Sequence, residues 1–261
     1  MSIRSAFKKE NGILIGMIHL SPLLSMRGFK GMKVMLREAL ADLRALERAG
    51  FDGALIENDH DRPHTEFANT AQIASFTAVA EAVIAEARIP VGVQMMLNDW
   101  KSSFAIAQAT GARFTRLDVF VDHVTSEWGE LNPNPKEIMS EKKKLCPDLL
   151  LFTDVQVKYK TMVRTRPLTT SAKLALANGA DGLVITGNAT GEETPTKKIE
   201  MIRRAFPSAK IFVGAGVNEK NVREQLALAN GAIVGTSIKK GRRISLASAK
   251  KLKKALKDTR V

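Results

Sequence analysis

The chain has 261 residues, 44% of them hydrophobic, and a formal net charge of +13. That apolar share supplies a sizeable core and excludes a disordered chain, and no run approaches the roughly 20 apolar residues that cross a bilayer. Residues 1–11 are too polar for the apolar core of a secretory leader, and Cys146 is the one cysteine, without a partner for an internal disulfide; both fit a cytoplasmic protein.

Apolar, β-rich runs alternate with helical patterns along the chain. The first strand is read at 13–20 (ILIGMIHL), with a helix at 33–49 closed by Gly50. A second strand at 53–57 (GALIE) leads through a polar loop to a helix near 70–87. After Pro90 come a strand at 91–96 and a helix near 101–110, ended by Gly111. The fourth strand, 114–119, precedes a long loop to Asn134 and a helix at 135–145, with Cys146 as a packing residue at its end. Strands at 149–154, 182–186, 210–213 and 232–235 follow, with helices at 169–178, 195–206 and 219–229 between them. Residues 239–261 carry ten Lys and Arg against Asp258 alone, so this tail holds +9 of the +13. It has no aromatic residue to stack on a base, which argues against a nucleic-acid surface. Its apolar residues Leu246, Ala249, Leu252, Ala255 and Leu256 instead mark a helix, about 244–258, that docks one face and solvates the other.

Eight strand–helix units imply parallel pairing, because each strand needs a crossover before the next. An open doubly wound sheet and a closed barrel both satisfy this. Near-equal units without a linker or composition break favour one (β/α)₈ barrel domain over residues 1–261. In such barrels the working residues lie just after the strands, on the C-terminal rim. The rule selects His19 after the first strand, Glu57 after the second, Gln94, Asn98 and Asp99 after the third, and Asp154 and Lys158 at the fifth. Thr186, Gly187, Thr190 and Gly191 follow the sixth, Gly214, Ala215 and Gly216 the seventh, and Gly235, Thr236 and Ser237 the eighth.

The last two groups, VGAGV and IVGTS, stand about 20 residues apart at the place where many barrels hold a phosphate. Glycines let backbone amides approach an anion, and a helix starting near Thr236 would aim its amides at the same point; tight turns are the bland alternative. Glu57, Asp99 and Asp154 are candidate acids, bases or Mg²⁺ ligands, with His19 and Lys158 beside them, and Gln94, Asn98, Thr190 and Gly191 are candidate substrate contacts. The HDRPH segment, 60–64, has metal-like residue types but reads as a mobile loop, so no protein-built transition-metal site is expected.

The segments IGMIHLSPL (15–23), ALIENDHDRP (54–63), GVQMMLND (92–99), FTDVQVK (152–158), DGLVITGNATG (181–191), VGAGVNEKNV (213–222) and GAIVGTSIKKG (231–241) resemble the BtpA/SgcQ family in order over nearly the whole chain. The resemblance implies a barrel of the ribulose-phosphate-binding type. It fixes no reaction: the layout of the rim residues points to an enzyme on a small phosphorylated sugar or nucleotide-derived metabolite, of isomerase or lyase type, and the family name to a non-catalytic assembly or stability factor of the photosystem I biogenesis type. The family-like positions include His19, Glu57, Asn98, Asp99, Asp154, Lys158, Thr190, Gly191, Gly214, Gly216, Gly235, Thr236 and Ser237. Three departures fall in loops: SPLLSMRGF where the family resembles PPLPGSP, SEWG (126–129) where it resembles TDQG, and Tyr159 where a histidine is common. The partners expected are a phosphorylated small molecule and, by analogy with barrels of this class, a second copy of the chain.

Overall fold

Bulky inward-facing residues on some strands stand beside glycines on their neighbours, and together they fill the interior of a small barrel. The computed structural model, which describes residues 1–187, 189 and 191–257, forms one closed parallel barrel. Its strands are β1 (Ile13–His19), β2 (Gly53–Glu57), β3 (Val91–Gln94), β4 (Phe114–Leu117), β5 (Leu150–Asp154), β6 (Gly182–Ile185), β7 (Ile211–Val213) and β8 (Gly231–Val234). Each strand pairs with its neighbours in sequence, and β8 returns to β1 in register from Ile13↔Gly231 to Gly16↔Val234. The closed barrel is therefore the observed topology, not the open sheet.

Inside the barrel, Phe114, Phe152 and Phe212 are fully buried with Ile15, Leu55 and Val184. Their bulk is accommodated by glycines. A Cβ on Gly182 would stand 2.8 Å from Phe152, and one on Gly231 would stand 2.7 Å from Phe212. The end away from the rim is closed by a short helix, Ile3–Phe7, whose Phe7 ring lies 5.4 Å from Phe114 and 6.4 Å from Phe152. Burying a side chain of this size contributes about 1.5–3 kcal/mol. The polarity of residues 1–11 hid this plug, because only Ile3 and Phe7 turn inward.

Outside lie α1 (Met32–Ala49), α2 (Thr70–Glu86), α3 (Trp100–Thr110), α4 (Pro135–Leu145), α5 (Leu168–Ala177), α6 (Thr196–Ala205), α7 (Val222–Leu228) and α8 (Leu246–Lys257). The basic α8 buries Ala249 and Leu252 and ties Lys253 to Asp52 at 3.0 Å, while most of its remaining lysines face solvent. Cys146 is buried where α4 ends, and burial pushes its thiol up to about 11. No helix among the described residues is long and apolar enough to cross a membrane.

Two loop regions depart from the expected pattern. The long loop after β4 and the loop after β5 build a three-stranded antiparallel sheet from Val124–Ser126, Gly129–Leu131 and Thr161–Met162, packed beside the barrel mouth. Helix α7 starts at Val222, not at 219, because Asn218 and Asn221 form a turn. The Asn218 amide donates to Asn221 Oδ1 at 2.8 Å, and both side-chain amides donate to the Gly216 carbonyl at 3.1 and 3.0 Å.

Candidate active site

Above the phenylalanine layer the same inward-facing strand positions turn polar, and a cavity of about 640 Å³ opens at the C-terminal rim. Its two walls are built differently. On the β7–β8 side it is lined by Gly214, Ala215, Gly216, Gly235, Thr236 and Ser237, with Gly191 from the loop after β6. Around the rest of the rim stand His19, Glu57, Arg116, Asp118, Lys158 and Lys160, and Trp128, in the turn of the antiparallel sheet, also lines the cavity. Trp128 meets His64 edge-on, with ring centroids 5.6 Å apart.

On the glycine side each residue has its own reason for lacking a side chain. A Cβ on Gly214 would collide with Val184 and stand 2.9 Å from Thr186. Gly216 has φ +69°, and its Cβ would fall on the backbone of Glu192 and Glu193. Gly235 differs: φ is −117°, and the nearest atom to an added Cβ is Met17 at 3.7 Å. Packing does not require glycine there; the space belongs to the cavity. The Ser237 hydroxyl donates to the Val217 carbonyl at 2.6 Å and fixes the two loops to each other. Residues Thr236–Ile238 form a single 3₁₀ turn where a helix was expected.

On the charged side, Arg116 projects from β4 and donates from Nε and Nη2 to the two oxygens of Asp154, both at 2.7 Å. Burial pushes the Asp154 carboxyl up; Arg116 opposes it, and the net direction is still upward. Asp118 accepts from Gln94 at 2.9 Å and from Lys160 at 3.1 Å. Burial disfavours its charge, but Lys160 and Arg116 outweigh this and hold the carboxyl at about 2. Among the described residues no lysine or arginine pairs with Glu57 in this way, and burial with the nearby Asp59 pushes it up to about 8. Lys158 is lowered by burial and by Arg116. Lys239 has a buried ammonium with no hydrogen-bond partner among the described residues, and burial brings it down to about 8.

The expected site residues thus separate into groups. His19, Glu57, Lys158, Gly191, Gly214, Ala215, Gly216, Gly235, Thr236 and Ser237 come together around one cavity. Asp99 does not line it. Its carboxylate caps α3, accepting from the Ser102 amide at 2.9 Å and hydroxyl at 2.6 Å and from the Ala68 amide at 2.9 Å. Asn98 is a strut between loops, donating to the Val119 carbonyl at 2.9 Å and accepting from its amide at 3.0 Å. Gln94 lies beneath the cavity against Asp118, and Asp154 is held by Arg116. Thr186 accepts from the Lys158 amide at 3.2 Å, and Gly187 packs against the Glu192–Glu193 backbone; neither lines the cavity. Thr190 lies outside the described residues. Glu57, Asp99 and Asp154 therefore do not meet around one cavity: Asp99 caps α3, Asp154 is held by Arg116, and of the three Glu57 alone lines it.

Arg116, the counter-ion of Asp154, was missed by reading only strand ends. The signal was present as a lone arginine inside an apolar strand, two residues after Phe114 and so on the same face.

A closed parallel barrel with a polar cavity at its C-terminal rim defines the α/β-barrel class whose sites are built from strand-end loops. Residues 10–257 match the BtpA family, and the chain belongs to it. It is 31% identical over 257 residues to an uncharacterized protein of Pyrococcus abyssi, covering 95% of this chain and 96% of that protein. It is 30% identical over 243 residues to the photosystem I biogenesis protein BtpA of Synechocystis, covering 92% of this chain and 84% of that one. Among solved structures, N-(5'-phosphoribosyl)anthranilate isomerase from Pyrococcus furiosus superposes with a TM-score of 0.59 at 13% identity, over 94% of this chain and 98% of that one. At that identity the likeness concerns the fold.

Proposed function

We propose that the cavity binds a small phosphorylated metabolite and that the protein is an enzyme on it, of isomerase or lyase type. The phosphate would sit against the backbone of Gly214–Gly216 and Gly235–Ser237. The organic part would reach across to Glu57 and Lys158. Gly235 carries the reading: none of its described neighbours requires it to be glycine, and its open side belongs to the cavity. Backbone amides beside such a space can donate to phosphate oxygens without side-chain obstruction. Glu57 is a carboxyl on the charged part of the rim, able to exchange a proton with a bound substrate, and Lys158 offsets negative charge developing there.

The test needs no knowledge of the reaction. Inorganic phosphate and small sugar phosphates should raise the melting temperature, since a ligand of the folded state stabilises it by mass action. Replacing Gly235 by valine should abolish the shift while the variant still melts cooperatively. If no phosphorylated compound shifts the wild type, the proposal fails. The Synechocystis relative's name favours a second reading, an assembly factor. A binding partner would then engage the protein with its cavity residues replaced.

A further inference from the structure

The loop after β2 carries a feature that the phosphate reading does not use. Asn58 to Asp61 form a turn, with the Asp61 amide donating to the Asn58 carbonyl at 3.1 Å. Both ends of the turn are clamped. Asp61 accepts from the Leu23 amide at 2.9 Å and from Gln72 at 2.8 Å, while Asn58 accepts from the Met96 amide at 2.7 Å. The two residues between, Asp59 and His60, are therefore presented on a fixed support beside His19 at the end of β1.

In this cluster Asp59 Oδ2 lies 3.5 Å from His19 Nδ1 and 3.6 Å from His60 Nδ1. One donor atom from each of the three residues lies within 4.8 Å of the others. Both separations exceed a hydrogen bond's usual length. They are close to the roughly 3.3 Å edge between ligands around a tetrahedral ion with bonds of about 2.0–2.1 Å. The rings stand edge to face, centroids 5.9 Å apart, so they do not stack. On the far side of His19, its Nε2 stands 3.8 Å from Glu57 Oε2. A carboxylate on that side of a metal-bound imidazole orients the ring by accepting from its N–H; at 3.8 Å Glu57 is not hydrogen-bonded, so it would close on His19 when the ion binds. The other oxygen of Asp59 faces Arg62 at 3.9 Å, leaving Oδ2 to the histidines.

We propose that His19, Asp59 and His60 form a binding site for one divalent first-row transition metal ion. Two imidazoles and one carboxylate suit Zn²⁺, Mn²⁺, Fe²⁺ or Co²⁺ better than Mg²⁺, which prefers oxygen ligands and retains water. His19 and Asp59 also line the cavity, so the remaining coordination positions open toward it and accept an oxygen of the bound molecule. The site is independent of the phosphate reading, because no glycine of the β7–β8 wall supplies a ligand.

The experiment uses the full chain without an affinity tag, stripped with a chelator and titrated with ZnCl₂ by calorimetry and with CoCl₂ by visible absorption. One equivalent should bind. Asp59→Asn and His60→Ala should each weaken binding at least tenfold and reduce the cobalt bands. Glu57→Gln should weaken zinc binding on the order of 10–100-fold through loss of ring orientation. His123→Ala, which removes a histidine paired with Glu130 outside the cluster, should leave the zinc affinity unchanged. Gly235→Val should keep the zinc affinity while losing any phosphate-induced melting shift, so the two proposals fail separately. Absence of a stoichiometric site overturns the inference. So does wild-type affinity in folded Asp59→Asn and His60→Ala variants.

Discussion

The two sides of the barrel mouth are made of different material. On the β7–β8 side the cavity meets mostly backbone, placed by Gly214, Gly216 and Gly235 and locked by Ser237 and the Asn218–Asn221 turn. On the β1–β5 side it meets charged side chains: Glu57, Arg116, Asp118, Lys158 and Lys160. Backbone donors do not titrate, and the barrel's hydrogen-bond ladder holds them in place. Such a wall suits a ligand feature that varies little, such as an anion. Charged side chains in a low-dielectric site respond to their neighbours, so the charged wall suits the part of a ligand where charge changes. The difference predicts that substitutions on the charged wall disturb folding and ionisation, whereas those on the glycine wall act mainly on ligand affinity.

The largest effect is expected at the buried ion pair. Asp154→Ala leaves the Arg116 guanidinium buried without its bidentate partner and should cost about 3–5 kcal/mol in denaturant unfolding. Replacing both residues together, as Arg116→Met with Asp154→Leu, should recover much of that loss, because no uncompensated charge remains. A double variant as unstable as Asp154→Ala would show that the pair is not the main stabilising feature of this wall.

Lys160→Met comes next, at about 1.5–3 kcal/mol for a hydrogen bond to a buried charged partner. Its pH dependence is more informative. Asp118 is held at about 2, below its value of roughly 3.9 in an unfolded chain. Its ionisation therefore stabilises the fold above about pH 4, and that contribution is lost as the pH falls toward 2. Without Lys160 the variant should be less stable at neutral pH and should lose less further stability over that acid interval. Parallel wild-type and variant stability curves between pH 4 and 2 would contradict this assignment.

How much of this was legible in the sequence follows from the same contrast. The barrel could be read because each unit repeats its own local signals: an apolar run, a helix period and often a closing glycine, as at Gly50, Gly111 and Gly179. The glycine wall was legible too, since backbone-lined loops advertise themselves by what they lack. Charged residues were harder. The strand-end rule located Glu57, Asp99 and Asp154 alike, but only Glu57 lines the cavity. Asp99 stands immediately before a helix, where a carboxylate is as well suited to capping as to catalysis. Asp154 is paired with an arginine 38 positions away, a partnership that only strand register reveals. The antiparallel sheet carrying Trp128 joins segments from two different loops, so no local pattern announced it.

Asp99 gives a smaller effect that separates support from cavity. Asp99→Ala should cost about 0.5–2 kcal/mol through loss of the α3 cap, while phosphate-induced melting shifts stay at the wild-type size. A selective loss of the shift, with stability unchanged, would move Asp99 into the ligand site.

The smallest expected change in stability lies at Gly235, and it is the sharpest probe of the glycine wall. Gly216 is held by both a positive φ and contact with the Glu192–Glu193 backbone, so a substitution there would mix strain with any effect on ligand. Gly235 has neither constraint: an added methyl would meet Met17 at 3.7 Å, an ordinary van der Waals distance. Gly235→Ala should therefore change unfolding free energy by only about 0.5 kcal/mol, within the range of substitutions that disturb no packing. The same methyl enters the space assigned to the phosphate oxygens and should weaken phosphate-dependent stabilisation well beyond that figure. Equal losses in stability and affinity would mean that the alanine acts through the fold. A wild-type affinity for inorganic phosphate would place the anion elsewhere along the rim.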